Sequence, residues 1–433
     1  MAGGLSQLVA YGAQDVYLTG NPQITFFKTV YRRYTNFAVE SIQQTINGSV
    51  GFGNKVSTQI SRNGDLITDI VVEFVLTSRG PTFYCAEQLL QDVELEIGGQ
   101  RIDKHYNDWF RTYDSLFRMN DDRVNYRRMT DFVDNEFQAG TTKRFYVPLI
   151  FFFNQTPGLA LPLIALQYHE VKLYFTLASS VNGINVLNDG TAASNIVQPQ
   201  MQVYVDYIFL DTQERTRFAQ LPHEYLIEQL QFTGSETAVI STTTQASQNI
   251  RMNFNHPTKY LAWNFNPGTA TSYGQYTALA NTSTTYNPLG DTANTATFNE
   301  QLAPLDSAKI QLNGQDRFSA RKGSYFNKVQ PYQTIGGVVP AGVYLYSFAL
   351  KPAGRQPSGT CNFSRIDNAT LSLTYKTASV NATDTIANVA NALGQSETVT
   401  ANTAVALTNL NIYAKNYNVF RVMSGMGGLA FAN

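Results

Sequence analysis

The sequence alternates between apolar and charged residues over Val93-Glu94-Leu95-Glu96-Ile97, and this stretch ends in the dipeptide Gly98-Gly99. A side-chain period of two is typical of a β-strand with one buried face, and a glycine pair after it favours a tight hairpin turn. The pattern recurs 215 positions later, where Ala308-Lys309-Ile310-Gln311-Leu312 leads into Asn313-Gly314. One strand-and-turn unit present twice predicts two similar β-domains in this chain.

Further pairs of segments support the duplication. Tyr146 and Tyr344 are 198 positions apart, and so are Leu173 and Leu371. A helical insertion in the first copy explains why this offset is smaller than the first one. Alternating segments with turn signals between them indicate β-sandwiches or barrels. The other strands with a period of two are predicted at 171–177, 250–254, 344–350 and 371–375.

Helices are predicted only in short pieces. The clearest one covers 108–118, where five large apolar residues share one face. A second helical turn is expected near 129–133. A third is expected directly after Asp211, because Asp211 and Glu214 have the spacing of a capping box.

The composition favours self-association over binding to polyanions. Charged residues make up 15% of the chain and aromatic residues 12%, with a net charge of −1, against roughly 25% charged residues in an average soluble protein. The first charged residue is Asp15, so no signal peptide is predicted. Cys85 and Cys361 are too few for a disulfide framework and are predicted to be small core residues of a protein made in the cytosol.

Three segments poor in charge and rich in Asn, Thr, Ala and Gly are predicted to be long surface loops. They cover 181–200, 266–304 and 377–411.

No catalytic, cofactor or metal site is predicted. His169-Glu170 and His223-Glu224 each begin a zinc-protease motif, but neither has a histidine at the fifth position. Four histidines and two cysteines make a dedicated zinc site improbable. The chain is therefore predicted not to be an enzyme.

Two clusters combine basic and aromatic residues, Tyr31-Arg32-Arg33-Tyr34 and Tyr126-Arg127-Arg128. Such clusters bind single-stranded nucleic acid in some proteins. Acidic residues flank the second cluster, so ion pairing with them or with a neighbouring subunit is the favoured interpretation. The acidic residues are Asp121, Asp122, Asp131 and Asp134. No specific binding to nucleic acid is predicted.

Two segments resemble the major capsid proteins of nucleocytoplasmic large DNA viruses, and those of chlorella viruses in particular. They are 17–28, containing Gly20-Asn21-Pro22, and 210–229, containing Asp211, Glu214 and Arg215; the closing 424–428 also fits. The resemblance implies an all-β fold of two tandem eight-stranded antiparallel jelly rolls with short helical insertions. It implies an N-terminal arm at 1–26, a first jelly roll at 27–212, a helical linker at 213–225 and a second jelly roll at 226–433.

The resemblance also implies a function. A major capsid protein of this kind forms homotrimers with pseudo-hexagonal outline that tile an icosahedral shell. Its partners are neighbouring capsomers and minor capsid proteins, and the internal viral membrane lies beneath without direct insertion. The resemblance further implies that the protein is made and assembled in the host cytoplasm and resides in the virion capsid. The alternatives from the β-sandwich architecture alone are a carbohydrate-binding protein, a carbohydrate-cleaving enzyme or a spike protein.

Glycosylation is the one residue-level function that the resemblance implies. Algal-virus capsid proteins carry sugars at a pattern resembling Ala/Gly-Asn-Thr-x-Thr. Asn281 and Asn294 fit this pattern, while Asn402 is a weaker match because Val405 ends its segment. Except for Asn281, which also fits the algal-virus pattern, the ordinary N-x-[ST] sequons are expected to stay bare, since a cytosolic chain does not meet the secretory machinery. They begin at Asn47, Asn154, Asn281, Asn362, Asn368 and Asn381.

Overall fold

A computed structural model gives the fold of the chain. It describes residues 10, 12–77, 82–83, 86–118, 120–130, 142–179, 185–186, 198–239, 245–266, 304–337, 339, 342–376 and 409–431. The chain divides into two compact units, residues 1–37 and 38–433. In the first unit the helix α1 (Val16–Thr19) has no buried side chain. The second unit contains two antiparallel β-sandwiches.

The first sandwich has two main sheets. Its strands are β1 Phe37–Gln44, β2 Ile46–Asn47, β3 Lys55–Gln59, β4 Leu66–Thr77, β5 Thr82–Phe83, β6 Leu90–Ile97, β7 Gln100–Tyr106, β8 Thr142–Pro148, β9 Leu161–Pro162, β10 Val171–Leu177, β11 Asn185–Val186 and β12 Gln200–Leu210. One sheet has the order β1-β12-β4-β8, with β9 paired to β4, and the other has the order β2-β3-β10-β6-β7. The short strands β5 and β11 pair with each other.

The second sandwich repeats this arrangement. Its strands are β13 His223–Thr237, β14 Ser247–Arg251, β15 Pro257–Asn266, β16 Leu305–Leu312, β17 Gln315–Asp316, β18 Arg321–Lys322, β19 Val343–Ser347, β20 Cys361–Asn362, β21 Ala369–Tyr375, β22 Asn409–Met423 and β23 Met426–Leu429. Its sheets have the orders β13-β22-β15-β19 and β14-β21-β16-β17. The strands β20, β23 and β18 pair with β15, β22 and β16, respectively.

The strand order is that of a jelly roll in both sandwiches. In each, the first long strand pairs with the last one along the chain, β1 with β12 and β13 with β22. In the facing sheets, β3 pairs with β10 and β14 with β21. This wrapped order distinguishes a jelly roll from an up-and-down barrel. The predicted all-β double jelly roll is confirmed.

The predicted duplication has the right strands but one wrong register. The turns after β6 and β16 match, because Gly98, Gly99, Asn313 and Gly314 all have positive φ, at 60°, 82°, 52° and 78°. Leu173 and Leu371 are both fully buried on β10 and β21. Tyr146 and Tyr344 lie on the equivalent strands β8 and β19, but Tyr344 stacks on Trp263 in the core whereas Tyr146 is on the outer face. A register shift by an odd number of residues moves each side chain of a strand to the opposite face of the sheet.

Helices are short and lie between strands. They are α2 Asn107–Phe117, α3 Asn120–Thr130, α4 Thr212–Gln220 and α5 Gln330–Thr334, with a π-helix at Tyr325–Val329 and 3₁₀ turns at Ala86–Leu89, Phe152–Asn154, Pro157–Leu159, Leu163–Ala165 and Phe363–Arg365. The predictions for α2 and α4 are confirmed. Of the helical turn expected near 129–133, residues 129 and 130 end α3, which begins at Asn120, and 131–133 lie outside the described residues. The polar N-terminal half of α3 has no apolar face from which a helix could be recognised.

Four other predictions need correction. The segment 409–411, predicted as loop, begins β22, and Leu410 is fully buried. The strand predicted at 250–254 ends at Arg251, and the one at 344–350 ends at Ser347. There the Ser347 hydroxyl accepts from the Ala349 N–H and turns the chain, which leaves Leu350 80% exposed. Cys361 is half-buried at the edge of the second core, while Cys85 is outside the described residues.

Candidate functional site: the junction between the two jelly rolls

The second jelly roll packs against the helical insertion of the first. In the sheet β13-β22-β15-β19, alternate side chains fill the core of the second sandwich, among them Trp263 and Ile412. The apolar side chains on the opposite face belong to the core cluster of the first sandwich, and we call the residues of this face the second outer face. The second outer face consists of Tyr260, Ala262, Asn264, Val343, Leu345, Asn411, Tyr413 and Lys415. This sheet is therefore buried on both sides.

The carboxylate of Asp108, in the first turn of α2, is the polar centre of the junction. Its Oδ2 accepts hydrogen bonds from Asn264 Nδ2 at 2.8 Å, Asn411 Nδ2 at 2.6 Å and Tyr413 OH at 3.3 Å. Asp108 is 4% exposed. Hydrogen bonds to a buried charge are stronger than neutral ones, and they require defined positions of both partners. The contact therefore fixes α2 on the second outer face.

Aromatic rings surround this polar centre. Trp109 lies 5.1 Å from Tyr413 between ring centroids, and Phe117 lies 5.0 Å from Tyr260. Phe232 of β13 stands 4.8 Å from both Tyr106 and Tyr413. Aromatic pairs at such distances contribute roughly 0.5–1.5 kcal/mol each beyond their buried area. The junction thus has the apolar content of a domain core.

Ionisable groups are also buried where β7 meets β13 and β22. Asp103 Oδ2 and His105 Nε2 are 3.1 Å apart, and both side chains are buried. Burial lowers the pKa of His105 despite Asp103. Burial raises the pKa of Asp103, but His105, Lys415 and the Leu230 N–H outweigh it and lower this pKa overall. Asp103 Oδ1 also accepts a hydrogen bond from the Leu230 N–H at 3.0 Å, which gives this backbone donor of β13 a partner.

A second buried pair lies nearby. Lys259 Nζ donates to a Glu228 carboxylate oxygen and, at 3.1 Å, to the Gly354 carbonyl oxygen. Burial lowers the pKa of Lys259, while Glu228 acts in the opposite direction. Removal of one partner of such a pair is strongly destabilising, because it leaves a buried charge uncompensated.

The linker helix α4 is bound to the first sandwich. Asp211 Oδ1 caps it by accepting from the Glu214 N–H at 2.9 Å, as the capping-box spacing predicts. Asp65, 4% exposed in its side chain, accepts from Arg215 Nε at 2.7 Å and from the Leu210 N–H at 2.9 Å. The Asp211–Arg215 segment that carried the resemblance therefore sets the direction in which the chain enters β13.

The C-terminal hairpin β22–β23 closes the junction. The Gly427 N–H donates to His169 Nδ1 at 3.1 Å, and the Leu429 N–H donates to Gln100 Oε1 at 3.1 Å. A Cβ on Gly427 would lie 2.6 Å from Leu166 and 2.8 Å from Phe420. The glycines near the end of the sequence thus allow close approach of the two sandwiches.

The histidines of the incomplete zinc-protease motifs have structural contacts. His169 Nδ1 accepts a hydrogen bond from the Gly427 N–H of β23. His223 Nε2 lies 2.8 Å from the Phe218 carbonyl oxygen. Among the described residues, no group of three or more His, Cys, Asp or Glu side chains is placed to hold a metal ion. No helix in that same part of the chain is long and apolar enough to cross a membrane.

The second basic-aromatic cluster is partly built into α3. Tyr126 is 3% exposed, and its hydroxyl donates to Glu87 Oε1 at 2.9 Å, a partner that the sequence did not suggest. Arg118 stacks 3.8 Å above the Tyr126 ring and lies 3.9 Å from Asp122. Arg128 is exposed, and Asp131 and Asp134 lie outside the described residues. In the first cluster, Tyr31 and Tyr34 are 85% and 84% exposed.

The predicted glycosylation residues Asn281, Asn294 and Asn402 lie outside the described residues, between β15 and β16 and between β21 and β22. One ordinary sequon is described in detail. Asn154 Nδ2 donates to the Thr68 carbonyl oxygen at 2.7 Å, and its Oδ1 accepts from the Phe151 N–H at 3.0 Å. A sugar on Nδ2 would compete with the hydrogen bond to the Thr68 carbonyl oxygen.

Comparison with known proteins identifies the family. Residues 25–211 match the family described as major capsid protein N-terminus, and residues 214–428 match large eukaryotic DNA virus major capsid protein. The chain belongs to the major capsid protein family of large eukaryotic DNA viruses. It is 80% identical to the major capsid protein of Paramecium bursaria Chlorella virus 1 and 44% identical to that of Pyramimonas orientalis virus, in both cases over 100% of each chain.

Solved structures agree with this assignment. The crystal structure of the PBCV-1 protein VP54 matches with a TM-score of 0.82 and 78% identity over 94% of this chain and 100% of that one. The Faustovirus major capsid protein has a TM-score of 0.68 at 13% identity, which supports the fold alone. The resemblance and the role as a component of the virion capsid are thereby confirmed, and the relatives are structural proteins.

In this capsid protein, the sequence did not reveal the junction. Asp108 was placed on a helix, but nothing marked it as the acceptor for Asn264, and Asn411 was assigned to a loop. The available signal for such a junction residue is a polar side chain between two apolar neighbours in a strand. Asn264 between Trp263 and Phe265 has this character.

Proposed function

We propose that three copies of this capsid protein form a capsomer of pseudo-hexagonal outline and that such capsomers tile an icosahedral shell. The observation that carries the proposal is the presence of two jelly rolls with the same strand order in one chain. Three chains then supply six similar jelly rolls, which we call the towers of the capsomer. Because a cyclic trimer is a closed assembly, the shell grows through a second class of contact, between trimers.

The domain limits given above belong to the proposal: an arm at 1–26, jelly rolls at 27–212 and 226–433, and a linker at 213–225. The start of the second family match at 214 and the position of α4 support the linker. The compact unit 1–37 supports an arm that extends somewhat further than residue 26.

The capsomer has no enzymatic activity in this account, and its partners are other capsid components. Neighbouring capsomers and minor capsid proteins contact it, and the internal viral membrane lies beneath it without insertion. Assembly takes place in the host cytoplasm. A carbohydrate-binding protein or a spike protein was the alternative, and the family assignment does not support it.

Sedimentation equilibrium at micromolar concentration tests the proposal. The expected result is one species of three times 48.1 kDa, about 144 kDa. Obligate interfaces commonly bury more than ~2,000 Å², so the trimer should persist on dilution. A persistent monomer would contradict the capsomer.

Glycosylation at Asn281 and Asn294, with Asn402 as a weaker third site, is also part of the proposal. It rests on the Asn-Thr-x-Thr pattern at the first two residues. Glycopeptide mapping of protein from virions is the test. Sugars at both asparagines and none at Asn154 are expected, whereas unmodified Asn281 and Asn294 would overturn it.

A further inference from the structure

The dipeptide Asn-Gly occurs at three places in the described part of the chain, Asn47-Gly48, Asn63-Gly64 and Asn313-Gly314. Asparagine is a chemically labile residue, and a glycine after it leaves the backbone free to bring the glycine nitrogen against the asparagine side chain. The three sites share this chemistry, but the fold restrains them to different degrees.

Asn313 is held in an unreactive position. Its Oδ1 accepts hydrogen bonds from the Asp367 N–H at 3.0 Å and from the Asn368 N–H at 3.2 Å. Its own N–H donates to the Asn368 carbonyl oxygen at 2.7 Å. The side chain of Asn313 can therefore turn towards the Gly314 nitrogen only after two hydrogen bonds have broken.

Asn47 is exposed, but its main chain is part of a sheet. It belongs to β2 and pairs with Ser57 of β3. In a strand the side chains stand roughly perpendicular to the sheet. The Asn47 side chain therefore reaches the Gly48 nitrogen only after the pairing with Ser57 has opened.

Asn63 has neither of these restraints. It is exposed and lies in the irregular segment before β4. Within the described residues, neither the Asn63 side chain nor the Gly64 N–H has a hydrogen-bond partner. Exposed segments with few such bonds open at low free-energy cost. The side-chain amide and the next backbone nitrogen are therefore free to meet at Asn63.

The packing of the first jelly roll requires the glycine at position 64. A Cβ on Gly64 would lie 2.8 Å from Tyr207 Cβ and 3.1 Å from Tyr207 Cδ1. Tyr207 is fully buried, and its hydroxyl donates to the Ser61 carbonyl oxygen at 2.6 Å. A larger residue, which would hinder ring closure, does not fit there unless Tyr207 moves. The fold thus retains the reactive neighbour of Asn63.

We propose that Asn63 is a site of spontaneous deamidation in the folded protein. The Gly64 nitrogen loses its proton to hydroxide and attacks Cγ of Asn63. A C–N bond forms, the bond from Cγ to Nδ2 breaks, and Nδ2 leaves as ammonia with a proton from water, which restores the hydroxide. Water then opens the succinimide at one of its two carbonyls and gives aspartate or isoaspartate. The net reaction consumes water and releases ammonia, without an enzyme or an oxidant.

The product lies between two anchors of the first jelly roll. Arg62 donates to the carbonyl oxygens of Gln167 at 2.6 Å and His169 at 3.1 Å. Asp65 accepts from Arg215 of the linker helix α4 at 2.7 Å. Isoaspartate adds a carbon atom to the main chain between these anchors, and its carboxylate repels that of Asp65. Both changes weaken the attachment of α4, so the modification lowers the stability of the protein.

Ageing of the purified full-length protein at neutral and at mildly alkaline pH tests the proposal. Peptides are prepared with pepsin at low pH, where the backbone nitrogen keeps its proton, and electron-transfer fragmentation distinguishes isoaspartate from aspartate. Asn63→Gln removes the site, because glutamine would have to close a larger ring. Asn47→Gln is the matched control at another exposed Asn-Gly dipeptide. Circular dichroism before ageing shows whether each variant is folded.

Isoaspartate should appear at position 63 of the wild type and of Asn47→Gln, and faster at alkaline pH. At Asn313 the reaction should be at least about tenfold slower, because two hydrogen bonds must first break. The melting temperature should fall on ageing in these two proteins and stay constant in Asn63→Gln. Absence of isoaspartate at position 63, or an equal rate at Asn313, overturns the site. Isoaspartate with an unchanged melting temperature overturns its effect on α4.

Discussion

At the scale of single residues, a few buried polar groups determine how the jelly rolls meet. Asp108 accepts from three side chains of the second sandwich. Replacement by alanine removes a buried charged acceptor from these donors. We expect Asp108→Ala to lower the free energy of unfolding by about 3 kcal/mol, as for a broken buried polar contact.

Urea unfolding followed by tryptophan fluorescence measures this loss. Asp316→Ala is the matched control, because Asp316 is 43% exposed and its partners, Lys309 and Gln311, contact it at the surface. It should change stability by less than about 0.5 kcal/mol. Equal effects of the two substitutions would show that the Asp108 contacts do not join the domains.

His105 gives the junction a pH dependence. Its pKa is lowered in the folded protein, mainly by burial, so the unfolded chain binds more protons just below the ordinary value of 6.5. Stability should therefore fall as the pH drops from 6.5 towards the folded pKa. The pKa of Asp103 is lowered from its ordinary value of 3.8, so Asp103 changes the stability of the protein only at a more acidic pH.

Thermal unfolding of the wild type and of His105→Phe between pH 7.5 and pH 5 isolates this effect. Phenylalanine keeps the stacking on Phe151, which lies 4.6 Å from the His105 ring. The variant should lose less stability on acidification than the wild type. Identical pH profiles would assign the acid sensitivity to other groups.

At the scale of elements, the C-terminal hairpin joins the two sandwiches through close approach at Gly427. A methyl group there would overlap Leu166 and Phe420. Gly427→Ala should lower stability by about 1–3 kcal/mol, the usual effect of overpacking. Gly158→Ala is the control, because a Cβ there meets only Thr156 at 4.0 Å. Limited proteolysis near the C-terminus should become faster only in Gly427→Ala.

The N-terminal arm is expected to act in assembly and not in folding. The helix α1 has no buried side chains, and Tyr17 and Leu18 are 93% and 86% exposed. Deletion of residues 1–20 should leave the melting temperature of the sandwiches unchanged while reducing shell formation, because these residues order against other surfaces. Wild-type particles assembled from the truncated chain would refute this role.

The strands were easier to predict than their ends. A period of two reports which face of a strand is buried, so β6, β10 and β21 were recognised from sequence alone. In β22 the segment 410–418 is buried on both faces, so the strand has no alternation near its start, and residues 409–411 were assigned to a loop. The end of β19 depends on the Ser347 hydroxyl contact, which no local pattern encodes.

At the scale of the whole molecule, the duplicated fold was predictable and the junction was not. The hairpins Gly98-Gly99 and Asn313-Gly314 are local signals that the two copies share. The contacts of Asp108 join residues 156 and 303 positions apart, and no single-sequence pattern reports such pairs. The register error between Tyr146 and Tyr344 has the same origin, because only packing shows which face of a strand is buried.

The capsomer is expected to be one closed particle with six similar towers, one for each jelly roll. Single-particle electron cryomicroscopy of the purified full-length protein measures the number and arrangement of these towers. The expected particle has threefold symmetry and six β-sandwich towers. A particle of one chain with two towers, or an assembly without pseudo-sixfold outline, would contradict it.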